Sequence, residues 1–100
     1  MALVEVPAHR LYRLAHGVRV RMENFGLLFY FHYGPKLTFV HIGSWIHPEF
    51  FSGQVTLREW LKSQSLSKSE EEVLSLEVEI SRVLSSLVDR GLIVETLADQ

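Results

Sequence analysis

The residues best suited to metal or acid–base chemistry in this 100-residue chain are its five histidines, and they are scattered. They are His9, His16, His32, His41 and His47. No two of them have the HxH, HxxxH or HExxH spacing that places two imidazoles on one metal ion. Cysteine is absent, which excludes thiolate ligands, thiol nucleophiles and disulfides. The sequence therefore predicts no metal site and no cofactor.

Serine, glycine and acidic residues form no catalytic pattern either. No serine lies in the GxSxG turn of hydrolases, and the glycines make neither a phosphate-binding loop nor a dinucleotide fingerprint. The acidic run at residues 70–72 is explained by the start of a helix, where carboxylates interact favourably with the helix dipole. We therefore predict no catalytic residue and expect the protein not to be an enzyme.

Composition limits the class of partner. With 47% hydrophobic and 22% charged residues, the chain is apolar for one small domain, so some apolar surface is expected to meet a partner. The net charge of −2 gives no general attraction to nucleic acid or acidic lipid. No stretch has the roughly 18 uninterrupted apolar residues of a membrane span, and the N-terminus lacks the features of a signal peptide. We expect a cytoplasmic protein with neither a nucleic-acid nor a membrane partner.

Three short strands are predicted at residues 17–22, 27–33 and 36–42, joined by turns at 23–26 and 34–35. The second strand is apolar on both faces, as is typical of a central strand. In the third strand the side chains alternate between two faces. Leu37, Phe39 and His41 lie on one face, and Thr38, Val40 and Ile42 lie on the other. The first and third strands are therefore the edges of an antiparallel meander, and an edge strand can pair with another peptide.

The rest of the chain is predicted to be mainly helical. Helices are expected at residues 44–51 and 57–64, and a long third helix ends near Arg90. Its N-terminal capping box is either Ser67 with Glu70 or Ser69 with Glu72. Residues 92–94 suit a short closing strand. We expect a loose arm at residues 1–11, one domain at 12–95 and a frayed tail at 96–100. The predicted fold class is α+β and winged-helix-like, with a three-stranded antiparallel meander followed by three helices.

The long helix carries two apolar faces. Its core stripe is predicted to contain Val73, Leu76, Ile80, Val83, Leu84 and Leu87. Leu74 and Val78 lie outside this stripe, one turn apart on the N-terminal half of the helix. Two alternatives follow: the second helix or a loop covers this pair, or the pair lines a groove beside the sheet that receives an apolar side chain of a bound segment.

The charge of the long helix argues against a DNA-binding role. A small sheet with three helices suggests a winged helix, whose third helix reads DNA. The segment SKSEEEVLSLEVEIS, however, has five glutamates and one lysine, which is the wrong sign for phosphates. The fold is therefore expected without the nucleic-acid function.

Several segments resemble a known family. The segment RLAHGVRVR at residues 13–21 resembles the opening of PqqD-like proteins, which are recognition elements for ribosomally made, later modified peptides (RiPPs). Within that group, RMENFGLLFY at 21–30 and KLTF at 36–39 are most similar to the mycofactocin-system chaperones of the MftB type. The similarity extends over residues 12–95 and includes LVDRGLI at 87–93. Met22 stands where that family pattern has proline.

This resemblance implies a noncatalytic peptide chaperone. Such proteins bind the leader of a precursor peptide and deliver it to a radical SAM/SPASM maturase, which in mycofactocin biosynthesis acts on a C-terminal Val-Tyr. The leader adds as a strand to the third strand, in a groove shared with the third helix. The strand residues implied here are Leu37, Thr38, Phe39, Val40, His41 and Ile42. The helix residues implied are Val73, Leu74, Glu77, Val78 and Ser81.

Two other functions remain as alternatives. One is a winged-helix transcriptional regulator, which the acidic third helix disfavours. The other is a small structural subunit that dimerises through its sheet edge. Dimerisation is also compatible with peptide binding, because PqqD-like domains can form homodimers by exchanging elements between chains.

Overall fold

The computed structural model of the protein describes residues 10–32, 34, 36–64 and 69–97. Within these ranges the elements are β1 (Arg10–Leu14), β2 (Val18–Glu23), β3 (Gly26–Phe31), β4 (Leu37–His41), a 3₁₀ helix (Pro48–Phe51), α1 (Leu57–Gln64), α2 (Glu70–Asp89) and β5 (Ile93–Leu97). The predicted α+β class and the three-stranded antiparallel meander are confirmed. No helix in the described ranges is long and apolar enough to cross a membrane.

The meander has the order β2-β3-β4, with β3 in the centre as predicted. Its register pairs Arg21 with Leu28 across β2–β3, and Leu28 with Phe39 across β3–β4. Leu28 is 5% exposed although it lies on the face of the sheet that points away from the core cluster. The second face of the central strand is therefore partly covered by its neighbours.

Gly26 allows β4 to approach the first hairpin closely. Its φ is +147°, and a Cβ at this position would lie 2.3 Å from the Val40 carbonyl oxygen and 2.7 Å from the Ile42 amide nitrogen. Both are backbone atoms of β4 and of the residue that follows it, so no side-chain rotation relieves the clash. A glycine at this position is therefore required for the close pairing that positions β4.

A second, two-stranded sheet pairs β1 with β5 and joins the two ends of the described chain. The predicted loose arm and frayed tail are therefore wrong where they include residues of these two strands. Arg10 and Leu11 belong to β1, and Thr96 and Leu97 belong to β5. Residues 1–9 and 98–100 lie outside the described residues. The paired residues are 79–87 positions apart in the sequence, so no local pattern indicates this pairing.

The helix count of three is wrong for the described residues, which contain two α-helices and one 3₁₀ helix. The predicted first helix is limited to four residues because His47, which precedes Pro48, is extended (φ −111°, ψ 160°). The predicted second helix coincides with α1. At the start of α2 the structure forms the Ser69–Glu72 capping box, one of the two alternatives. Tyr33 of the predicted second strand, Pro35 of the second turn and residues 65–68 lie outside the described residues.

The core lies between the inner face of the meander, the two helices and the β1–β5 pair. Its most buried hydrophobic side chains are Leu27, Phe29, Ile46, Phe50, Leu61, Leu84 and Ile93. From α2, this core takes the stripe residues Val73, Ile80, Leu84 and Leu87, which are buried. Packing of this stripe fixes the rotation of α2 and therefore decides which of its other side chains lie near β4.

Candidate functional site

The outer edge of β4 is open in the described structure. Strand β4 pairs with β3 on one side, and no strand among the described residues pairs with its other side. The Ile42 N–H donates to the Phe25 carbonyl oxygen at 3.2 Å, so the Ile42 amide points towards the β3 side. Because the backbone groups of successive residues in an antiparallel strand point to opposite sides, the N–H and C=O groups of Leu37, Phe39 and His41 point towards the open side.

Apolar side chains lie beside these free backbone groups. Leu37 and Phe39 are 54% and 55% exposed, whereas Thr38 and Val40 are half-buried on the inner face. The Phe25 ring lies against Phe39, with ring centroids 5.5 Å apart. β4 therefore presents a proline-free edge with ordered apolar side chains, a combination that favours the pairing of another strand.

The opposite edge of the meander, β2, is less suited to strand addition. The Val18 N–H donates to the Ala15 carbonyl oxygen at 3.0 Å, so the start of this edge is already occupied. Arg19 and Arg21 are exposed along β2, and charged side chains on an edge oppose pairing. A hollow of about 520 Å³ lies here, but its walls include His16, Arg19 and His32 and it is wide open. We therefore assign the candidate site to β4.

A cleft of about 360 Å³ lies between the C-terminal end of β4 and α2. This β4–α2 cleft is lined by His41, Ile42, Gly43, Trp45, Leu76, Glu79, Ile80 and Val83. Its walls are mainly apolar and Glu79 supplies a carboxylate. The cleft is adjacent to the free backbone groups at the end of β4, so a strand paired with β4 would place alternate side chains into it.

Of the residues implied for the helix side of the groove, Leu74 and Val78 are exposed, at 44% and 41%. They are therefore not covered by α1 or by a loop of the described residues. At 100° per residue, however, they lie roughly 150–170° around α2 from the centre of the side that lines the cleft. Ser81 lies on the same side of α2 as Leu74 and Val78, and its hydroxyl donates to the Val78 carbonyl oxygen at 2.9 Å. The structure does not bring these three residues together with β4.

The other two implied helix residues lie in the interior. Val73 is 5% exposed and belongs to the core cluster. Glu77 is 1% exposed, and its Oε1 accepts a hydrogen bond from the Arg58 Nε at 3.1 Å, which links α2 to α1. Its Oε2 is buried and has no hydrogen-bond partner among the described residues. Glu77 therefore helps to hold α1 and α2 together and is not accessible to a ligand.

Sequence reasoning missed the contribution of Trp45 and Glu79 to the cleft. Trp45 follows β4 by only a few residues, and its carbonyl oxygen accepts a hydrogen bond from the Trp60 Nε1–H at 2.8 Å, which fixes this segment against α1. Glu79 lies three positions after Leu76 on α2, so the helical spacing was the available signal. The stripe residues Leu76, Ile80 and Val83 were predicted as core only, whereas they also line the cleft.

The chemistry that this arrangement offers is recognition of an extended chain. Within the described ranges there is no group of three or more His, Asp or Glu side chains placed to hold a metal ion. Comparisons with models of protein families, with curated proteins and with solved structures found no match. A functional assignment therefore depends on the geometry of the β4 edge and the β4–α2 cleft, together with the short sequence segments that resemble PqqD-like proteins.

Proposed function

We propose that the protein is a noncatalytic peptide chaperone that binds the leader of a ribosomally made precursor peptide. It delivers this leader, in the cytoplasm, to a radical SAM/SPASM maturase of the mycofactocin type. The observation that carries the proposal is the open edge of β4 directly beside the β4–α2 cleft. The resemblance of residues 13–39 to PqqD-like and MftB-type proteins supports the same function.

The proposed mode of binding is strand addition. The leader pairs with the outward-pointing backbone groups of Leu37, Phe39 and His41 and becomes the fourth strand of the meander. Side chains on one of its faces enter the cleft next to Ile42, and those on the other face lie beside Leu37 and Phe39. Backbone hydrogen bonds supply register, while the cleft supplies the choice of sequence.

The helix contribution differs from the one that the resemblance implied. In the proposed complex, Leu76, Glu79 and Val83 contact the leader in place of Leu74 and Val78. Glu77 and Val73 hold α2 in position from the interior. The arrangement is winged-helix-like in this proposal, with α1 and α2 as the helix pair and the meander as the wing.

A second candidate function is dimerisation through β4. It is favoured by the exposure of Leu37 and Phe39, since two copies can pair their open edges. A winged-helix transcriptional regulator has less support, because the first turn of α2 carries Glu70, Glu71 and Glu72. These carboxylates oppose the phosphate contacts on which DNA binding depends.

A proline substitution in each edge strand tests the proposed site. Phe39→Pro removes an amide that points away from β3, so the β3–β4 ladder is retained while strand addition loses a donor. Met22→Pro is the matched control, because Met22 is 40% exposed and its amide points to the open side of β2 by the same alternation. Fluorescence anisotropy measures the affinity for a labelled leader peptide from the precursor encoded beside the radical SAM enzyme.

The expected result is a loss of affinity of at least about tenfold for Phe39→Pro and less than about threefold for Met22→Pro. Circular dichroism on both variants verifies that the fold is retained. Equal affinities for both variants would place the leader elsewhere. A dimer of the unmodified protein that dissociates in Phe39→Pro, without any binding of leader, would support the dimerisation function instead.

A further inference from the structure

The β4–α2 cleft has a carboxylate at its margin that has no ionic partner among the described residues. Glu79 is exposed and lines the cleft together with Leu76 and Val83 of the same helix. The ion pairs of the described residues are Arg10–Glu95, Arg21–Glu23 and Arg58–Glu77, and none involves Glu79. Apolar walls with a carboxylate at the margin suit a ligand that has an apolar side chain close to a basic one.

We infer that the segment bound at β4 carries a basic side chain within two positions of an apolar residue that fills the cleft. This inference rests on the proposed peptide-binding function and specifies the class of peptide. It commits to an extended segment with lysine or arginine as the occupant, because charge complementarity with Glu79 favours a cation at this margin.

The geometry of an added strand supports this pairing. Alternate side chains of a strand lie on the same face, about 6.7 Å apart. One side chain that enters between Ile42 and Ile80 therefore leaves its neighbours on the same face within reach of the cleft margin. The methylene stem of lysine or arginine can lie along Leu76 or Val83 while its charged end approaches the Glu79 carboxylate.

Three fluorescein-labelled peptides of nine residues provide the test. They share an extended host of alternating valine and threonine with one central leucine. They differ only at the two positions that lie two residues before and two residues after this leucine, which are both lysine, both alanine or both glutamate. Fluorescence anisotropy measures each affinity for the full chain in about 20 mM and about 150 mM salt, since an exposed ion pair weakens as salt rises.

Charge reversal at Glu79 is the decisive variant. For the unmodified chain we expect the lysine peptide to bind roughly threefold to tenfold more tightly than the glutamate peptide in low salt. Glu79→Lys is expected to reverse this order, and Glu79→Gln to abolish it. Glu71→Lys makes the same change of charge on α2, but its position is roughly 130° away from the cleft side and the order should persist.

The outcomes separate this inference from the function on which it rests. Binding of all three peptides with equal affinity, or an order that Glu79→Lys leaves unchanged, overturns the inference and leaves strand addition standing. Failure of every peptide to bind also overturns the inference, whereas strand addition itself is decided by the leader titration of Phe39→Pro and Met22→Pro. A peptide-independent dimer in sedimentation that Phe39→Pro dissociates would identify a second copy as the occupant, which also overturns the inference.

Discussion

At the scale of single residues, the most consequential side chain in the helical layer is the buried Glu77. Among the described residues its carboxylate pairs with Arg58, and its second oxygen has no hydrogen-bond partner. Desolvation of a carboxylate is costly unless a cation and hydrogen bonds compensate it. The α1–α2 junction therefore depends on Arg58, whose side chain is 38% exposed and partly screened by solvent.

We predict that Arg58→Met lowers the free energy of unfolding by about 2–3 kcal/mol, because it leaves Glu77 as a buried charge without a partner. Urea denaturation measures the change. Arg10→Met is the matched control, since the Arg10–Glu95 pair is roughly one-third exposed on both sides and exposed pairs contribute at most about 1 kcal/mol.

A double variant tests the cause. Glu77→Leu combined with Arg58→Met removes both charges and is expected to recover most of the stability lost by Arg58→Met alone. If the double variant is no more stable than the single one, the effect of Arg58 comes from lost packing and not from the uncompensated carboxylate.

At the scale of elements, α2 has a side that faces the β4 edge and a separate apolar side that faces solvent. Val83 lines the cleft and packs against the core, whereas Val78 is 41% exposed on the other side. The two residues are chemically identical and lie on the same helix. They therefore form a matched pair for deciding which side of α2 contributes to peptide binding.

We predict that Val83→Ser weakens leader binding by roughly threefold to tenfold, because it removes apolar contact area from the cleft. Val78→Ser should change the affinity by less than about twofold. Fluorescence anisotropy gives both values, and urea denaturation of each variant measures the accompanying change in stability. A larger loss of affinity for Val78→Ser would place the leader on the Leu74–Val78 side, as the sequence resemblance implied.

The strands of the meander and the two α-helices were predictable because their patterns are local. Alternation of apolar and charged residues predicted β2, apolar segments bounded by turns predicted β3 and β4, and the start of α2 is at one of the two predicted capping boxes. β1 was missed because its pairing with β5 depends on contacts between the two ends of the described chain. The helix predicted at residues 44–51 is only a 3₁₀ helix at Pro48–Phe51, because Pro48 keeps His47 extended.

The strand half of the candidate site was predictable, and the helix half was not. Alternation alone placed Leu37, Phe39 and His41 on one face of the edge strand, and the structure shows that this is the exposed face. A helical projection shows that α2 has two apolar sides, but it does not say which side the sheet approaches. The same projection puts Glu77 within about 60° of Ile80, and this position was the available sign of its burial.

At the scale of the whole molecule, the sheet that joins the two ends of the described chain is separate from the sheet that carries the proposed binding edge. The β1–β5 pair joins the two ends of the described chain, and the Arg10–Glu95 ion pair spans it at 2.7 Å. The meander supplies the open edge, and α2 supplies both the core stripe and the wall of the cleft. The proposed strand addition at β4 would therefore extend an existing sheet.

Hydrogen exchange of individual amides, measured by NMR with and without a saturating leader peptide, tests the central claim most directly. In the free protein we expect slow exchange at Thr38 and Val40, whose amides bond to β3, and fast exchange at Phe39 and His41. Leader binding should slow exchange at Phe39 and His41 by at least about tenfold while the other two change little. Unchanged exchange at Phe39 and His41, with slowing confined to β2 or the exposed side of α2, would contradict the account.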